Sequence, residues 1–302
     1  MAGRVLITGA GGFVGGNLST GFAALGWQVT AVDLSFDAGV ADRLQGCDLV
    51  SVDLGTAALP DLPRADLIIH AAALTTEPEA LGITPAEHLA RNTLPLLSIL
   101  RYAAGQPPAA FVFLSSSGVF NGTEGCPDLT DTCLPAGLAP YSAAKRAGEL
   151  LVASALADLC PVHLLRLGYI YGPDEVARAS RMRVSVVAGM IAAARAGQAL
   201  PLRSDDPRRD WTFAPDLAPA IAALAAQPAA DHPLHFGSGH ILHDSALAAV
   251  IARHFGTLRL SRLAATGAKP PMVASTVPAL SEFRWTPPEE GIAALCRHQV
   301  AA

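Results

Sequence analysis

RVLITGAGGFVGGNLSTGFAALGWQVTAVD, residues 4–33, is the stretch that decides the fold. An apolar run over 4–8 breaks into Gly9-Ala10-Gly11-Gly12-Phe13-Val14-Gly15. It passes into an Ala-rich and Leu-rich segment of helical spacing over 12–25, and a second apolar run, 28–32, ends at Asp33. Strand, glycine turn, helix and strand in that order form the opening of a dinucleotide-binding unit. The spacing is GxxGxxG through Gly9, Gly12 and Gly15, since Val14 stands where the GxGxxG form needs its last glycine. Gly9 permits the tight turn, Gly12 lets the backbone approach a pyrophosphate, and Gly15 lets the helix lie close on the sheet. Phe13 and Val14 complete the loop, whose helix start offers free N–H groups and positive potential to phosphates.

Asp33 closes the second strand eighteen residues after Gly15. An acid there accepts hydrogen bonds from the adenosine ribose hydroxyls and repels a 2′-phosphate, so the expected cofactor is NAD rather than NADP. No arginine follows it directly, and none sits among the glycines. Asp53 and Leu54, after a third apolar run, are candidates for the adenine end. His70-Ala71-Ala72-Ala73 closes a fourth run, with Ala71 and Ala72 small enough to let a dinucleotide cross the strand ends. His70 reads as a structural hydrogen-bonding group.

Working outward, strand-like runs recur at 48–52, 66–70, 110–115 and 162–167, with helical spacing over 85–104 and 141–157. The alternation predicts an α/β protein, a doubly wound Rossmann-type parallel sheet with right-handed crossovers. Residues 1–173 are expected to form this NAD-binding domain. Residues 174–302 are expected to form mostly a smaller C-terminal substrate-binding lobe, with one segment returning to the main sheet. Further helices are predicted over 180–196, 216–226 and 244–255, and from near 288.

The 302 residues are 51% hydrophobic and 6% aromatic with a net charge of −5. That composition suits helices packed on a buried sheet, and without basic runs it argues against nucleic acid as partner. No uninterrupted apolar stretch reaches membrane-spanning length. Cys47, Cys126, Cys133, Cys160 and Cys296 form no CxxC pair. The expectation is reduced thiols, a cytoplasmic location and no metal.

The chemistry sits in two segments. Ser115-Ser116-Ser117-Gly118 ends the fifth run, and Tyr141-Ser142-Ala143-Ala144-Lys145 opens a helix that puts Tyr141 and Lys145 on one face. A phenol of ordinary pKa about 10 is a poor base near neutrality and needs positive charge beside it. One charge at ~4 Å and an effective dielectric near 20 is worth roughly 4 kcal/mol before screening. Lys145 supplies such a charge, and Ser117, 24 residues before Tyr141, is the expected hydroxyl that orients a substrate oxygen.

With these residues, Tyr171-Gly172-Pro173, and Arg209-Asp210-Trp211 followed by Asp216, the chain resembles the extended short-chain dehydrogenase/reductase family, also called the NAD-dependent epimerase/dehydratase family. The resemblance implies Ser117, Tyr141 and Lys145 as catalytic and Gly9, Gly12, Gly15 and Asp33 as NAD-binding. It also implies a bond from Lys145 to the nicotinamide ribose, and a homodimer built on the helices over 85–104 and 141–157. Family dehydratases carry an Asp-Glu pair just beyond the first catalytic hydroxyl, whereas Gly118-Val119 follow Ser117 here. Family epimerases carry an Asn shortly before Tyr-Gly-Pro, where this chain has Gly168-Tyr169-Ile170.

The expectation is therefore NAD-dependent dehydrogenation of a sugar, sugar acid or similar alcohol. Nucleotide-sugar epimerisation is the alternative, and a non-catalytic NAD-responsive protein a more distant one. Arginines beyond residue 174 suit an anionic substrate, with Tyr169, Arg178 and Arg209 as candidate contacts. The loop cysteines Cys126 and Cys133 leave open a further acid/base group.

Overall fold

The computed structural model describes residues 3–57, 59–256, 259–267 and 269–297. The first half runs β1 (Arg4–Thr8), α1 (Phe13–Ala24), β2 (Gln28–Asp33), α2 (Ala38–Arg43), β3 (Asp48–Ser51), β4 (Leu67–His70), α3 (Pro78–Leu81), α4 (Pro85–Gly105), β5 (Ala110–Ser116), α5 (Pro140–Leu156) and β6 (Val162–Leu167). The second half runs β7 (Tyr169–Tyr171), α6 (Val186–Arg195), β8 (Leu200–Arg203), β9 (Arg208–Phe213), α7 (Leu217–Ala225), β10 (Leu234–Phe236), β11 (Ile241–His243), α8 (Asp244–Phe255), β12 (Leu260–Leu263), α9 (Pro278–Ser281) and α10 (Pro288–Arg297).

Seven strands form one parallel sheet in the order β10-β6-β5-β4-β1-β2-β3. The order reverses between β1 and β4, the switch point at which such sheets open a crevice for a ligand. Alternation along the strands explains the two-sided core. Val5, Ile7, Leu67 and Ile69 point to the layer holding Leu18, Phe22 and Ile221. Leu6, Ile68, Phe111 and Phe113 point to the layer holding Leu96, Ile99 and Val152. The segment that returns to the main sheet is β10, which lies parallel beside β6. A separate three-stranded sheet, β11-β9-β7, a two-stranded sheet, β12-β8, and a core of Trp211, Tyr171, Met190, Leu247 and Ile251 make up the smaller part, which therefore takes in residues 169–171 ahead of the boundary expected at 173.

Three expectations change. The helix predicted over 180–196 begins only at Val186, where the Ser185 hydroxyl accepts the Ala188 N–H at 3.1 Å. Before it, Arg178 and Arg181 exchange backbone hydrogen bonds at 3.0 and 2.9 Å, a hairpin pairing incompatible with helix. The fifth strand continues through Ser116, in register with Leu167 of β6, which changes the direction in which the serines point. The loop thiols also differ, since Cys126 and Cys133 are joined in a disulfide. The loop folds back because the Glu124 carboxylate accepts N–H groups from Asn121, Gly122 and Ala136 at 2.8, 2.8 and 3.2 Å. Neither sulfur is then available as an acid or base, and Cys47, Cys160 and Cys296 remain free.

Among the described residues no helix is long and apolar enough to cross a membrane. Nor is any cluster of three or more His, Cys, Asp or Glu placed to hold a metal ion.

Candidate active site

A cavity of about 1020 Å³ runs along the carboxyl ends of the main strands. At one end is the glycine turn between β1 and α1. Gly9 has φ +72°, and a Cβ there would lie 2.6 Å from the Ala72 backbone. A Cβ on Gly15 would overlap the Gly9 carbonyl oxygen, so the helix can start this close to the strand only without a side chain. The N-cap of α1 is Gly12, which contributes no capping side chain, so the first N–H groups of the helix stay available to an anion.

Asp33 ends β2 at the rim. Its carboxylate accepts the Gly11 N–H at 2.8 Å and the Leu34 N–H at 2.6 Å. Burial pushes the carboxyl above the usual range, opposed by these two bonds and by the charge of Arg178. Gly11 was not singled out by its spacing, yet its N–H holds the Asp33 carboxylate, and a Cβ there would lie 3.0 Å from both that carboxylate and the Ser35 carbonyl. Phe13, Val14, Asp53, Leu54, Ala71 and Ala72 line the same cavity, with the Asp53 carboxylate held by the Gly55 N–H at 2.9 Å. The bare backbone of the glycine turn and the carboxylate of Asp33 at its rim fit the phosphates and ribose of a dinucleotide.

The other end holds the candidate chemistry. Tyr141 and Lys145 rise from the first turns of α5 and both face the cavity. Lys145 Nζ donates to the Leu114 carbonyl at 2.7 Å and lies 5.9 Å from the Tyr141 ring centroid. Burial pulls its ammonium down to about 8, and Glu149 pulls the other way. Burial raises the Tyr141 phenol, while the Ser116 hydroxyl within hydrogen-bonding reach and the Arg181 charge lower it. Arg181 is a cation that the motifs did not mark. It lies 5.0 Å over the Phe13 ring and pairs with Glu175 at 2.6 Å.

The serine nearest the phenol is Ser116, not Ser117. Ser116 lines the cavity, and its hydroxyl accepts the Gly118 N–H at 2.9 Å. Ser117 has already turned into a short 3₁₀ segment with its side chain buried, and its carbonyl accepts Lys269 Nζ. His70 is 1% exposed and bonds the Thr8 hydroxyl through Nδ1 at 2.8 Å. Burial, then the Lys145 charge, holds it down to about 3, so it stays neutral at physiological pH.

The candidate substrate contacts separate. Tyr169 and Arg209 border a second, smaller cavity of about 220 Å³, together with Asn121, Arg203, Arg208 and Lys269. Arg209 stacks over the Tyr169 ring at 4.5 Å, but its guanidinium fork is engaged by Asp244 at 2.9 and 3.2 Å. Arg178 lies elsewhere, at the Asp33 rim of the large cavity, with its Nη2 2.8 Å from Asp37 Oδ2. Sequence distance concealed this placement, since the two residues are 141 positions apart.

Against Gly168 lies Asp210, 2% exposed, with no well-formed hydrogen bond at either oxygen. Burial raises its carboxyl to about 7 against the pull of Lys269, itself lowered by burial to about 8. A Cβ on Gly168 would overlap the Asp210 carboxylate.

Residues 5–239 match the model of the NAD dependent epimerase/dehydratase family. The chain belongs to that family. NAD is its coenzyme, in agreement with the glycine turn and Asp33. It is 34% identical over 140 residues to a dTDP-L-rhamnose 4-epimerase of Burkholderia thailandensis, covering 45% of this chain and 38% of the relative. It is 28% identical over 205 residues to a UDP-glucose 4-epimerase of Azospirillum brasilense, covering 66% and 53%. The chain thus spans about two fifths and one half of these relatives' lengths. Among solved structures, MoeE5 in complex with UDP-glucose and NAD superposes with a TM-score of 0.78 at 26% identity, covering 97% of both chains.

Proposed function

We propose that the protein moves hydride between NAD and a carbinol carbon of an anionic, sugar-like substrate, using Tyr141, Lys145 and Ser116. The observation that carries this reading is the convergence of those three side chains on one cavity with the glycine turn. Gly12 to Gly15 would hold the phosphates, Asp33 the adenosine ribose and Lys145 the nicotinamide ribose. The bound coenzyme supplies the hydride acceptor. Tyr141 takes the carbinol proton at its phenol oxygen, Lys145 keeps positive charge beside that oxygen, and Ser116 donates to the substrate oxygen to fix its direction. The edge of the smaller cavity at Arg208 and Lys269 suits a phosphate or carboxylate on the substrate, whereas the Arg203 fork is already engaged by Asp205.

With the hydroxyl at Ser116, the two positions beyond it are Ser117 and Gly118, still without the carboxylates that water elimination needs. Two net reactions remain. The relatives support epimerisation of a nucleotide sugar, in which hydride returns to the same substrate. Tyr169, standing where family epimerases carry Asn, supports net dehydrogenation of a smaller sugar or sugar acid. Absorbance at 340 nm with excess NAD and a panel of nucleotide sugars and sugar acids separates them. Accumulating NADH means dehydrogenation, whereas a new isomer without accumulation means epimerisation. Silence across both classes, with NAD bound, would overturn the enzymatic reading.

The serine assignment has its own test. Ser116→Ala is expected to lower turnover about 10- to 100-fold, the scale of losing one positioned donor. Ser117→Ala should change it less than about threefold. The reverse order in kcat measurements would return the role to Ser117. The helix pair for the expected homodimer, α4 and α5, packs together and α5 exposes Leu150, which suits an interface that sedimentation can test.

A further inference from the structure

We propose that Asp37 is a second determinant of coenzyme choice, acting by occupying Arg178 so that the adenosine-ribose corner rejects a 2′-phosphate. The inference concerns this corner alone and does not depend on which substrate the protein takes.

An arginine beside the ribose acid is the usual means of accepting a 2′-phosphate, because the guanidinium fork matches phosphate oxygens. The fold supplies such an arginine. Arg178 lines the large cavity with Asp33, Leu34, Ser35 and Asp37, and its charge acts on Asp33. The arginine is not free, since its Nη2 is held by Asp37 Oδ2 at 2.8 Å. Asp37 is itself fixed, because its other oxygen caps α2 by accepting the Val40 N–H at 2.9 Å. One carboxylate thus ties the arginine to the helix start.

The corner then carries two carboxylates and one guanidinium, a net charge of −1 opposite any incoming phosphate. Removing the charge of Asp37 leaves the corner neutral and releases the donors of Arg178. Side-chain exposures of 30% for Arg178 and 62% for Asp37 leave the pair partly screened, so it adds little to stability. Its consequence lies in the local charge that a phosphate meets, and it weakens with salt.

Asp37→Asn keeps a capping acceptor and loses the charge, and Asp37→Ser is a second variant with an equally suitable cap. Calorimetric or fluorescence titration with NAD and NADP gives Kd for each without requiring turnover. The expected result is an NADP affinity gain of about tenfold in either variant, with NAD affinity changed less than about threefold. Adding Arg178→Gln should abolish the gain, and raising salt to about 0.5 M should shrink it. An NADP gain of at least threefold that Arg178→Gln abolishes supports the proposal. A smaller gain, or one that survives Arg178→Gln, overturns it.

Discussion

Tyr141→Phe is expected to lower turnover about 10³-fold while NAD binds with nearly unchanged Kd. The substitution deletes one oxygen and keeps the ring that stands beside Lys145 and against the Gly118 backbone, where a Cβ would come within 3.1 Å of it. What disappears is the atom proposed to exchange the carbinol proton, and positioned acid–base groups contribute factors of this order. The electrostatics pull in two directions: burial raises the phenol above its ordinary value, whereas the Ser116 hydroxyl and the Arg181 charge favour the ionised form that takes the carbinol proton, and Lys145 Nζ lies 5.9 Å from the same ring. Turnover and NAD titration on the same preparation decide the matter. Retention of more than about a tenth of the activity would remove Tyr141 from the proton path, whereas parallel loss of NAD binding would assign it to the cofactor instead.

Arg166→Ala is expected to destabilise the fold by about 3–5 kcal/mol, the range for stranding one partner of a buried ion pair. Arg166 on β6 meets Glu149 on α5 through two bonds, of 2.9 and 2.8 Å, and the two side chains are only 5% and 8% exposed. Glu149 also accepts the Ser115 hydroxyl at 2.6 Å, and its charge supports the Lys145 ammonium four residues earlier on the same helix face. The pair therefore fixes α5 to β6, and the Ser115 hydroxyl ties the same carboxylate to β5, the strand that carries Ser115 and Ser116. Denaturant unfolding provides the number. Arg166→Met combined with Glu149→Leu should recover much of the loss, because an apolar pair leaves no buried charge uncompensated. A loss below about 1 kcal/mol in Arg166→Ala would show that the pair is not structural.

Much of the fold is legible in the sequence. The runs at 4–8 and 162–167 are strands at those residues because both faces are buried, which gives Val5-Leu6-Ile7 in the first and, in the second, apolar residues interrupted only by the buried His163 and Arg166. The helix over 244–255 is bounded by Asp244 in its first turn and by Gly256 at φ +75°, ordinary start and stop signals. The serine run was less readable. Three identical hydroxyls carry no chemical label, and only the length of β5 determines that Ser115 turns to Glu149 and Ser116 to the cavity. Arg178 and the Cys126–Cys133 bridge were illegible for a different reason, since both depend on loops whose course is set by tertiary contacts. The proposed corner of Asp33, Asp37 and Arg178 could not be drawn from the first 40 residues, although two of its three members lie there.

The contact between Gly168 and Asp210 limits the routes by which this site can be remodelled. A side chain at 168 and a carboxylate at 210 claim the same volume, and the larger of two residues cannot simply be admitted by a close-packed interior. In a series of single substitutions, position 210 must shrink before position 168 can grow, and the opposite order passes through a clash. Any redesign that builds a bulky wall beside Tyr169 at position 168 therefore has a fixed first step.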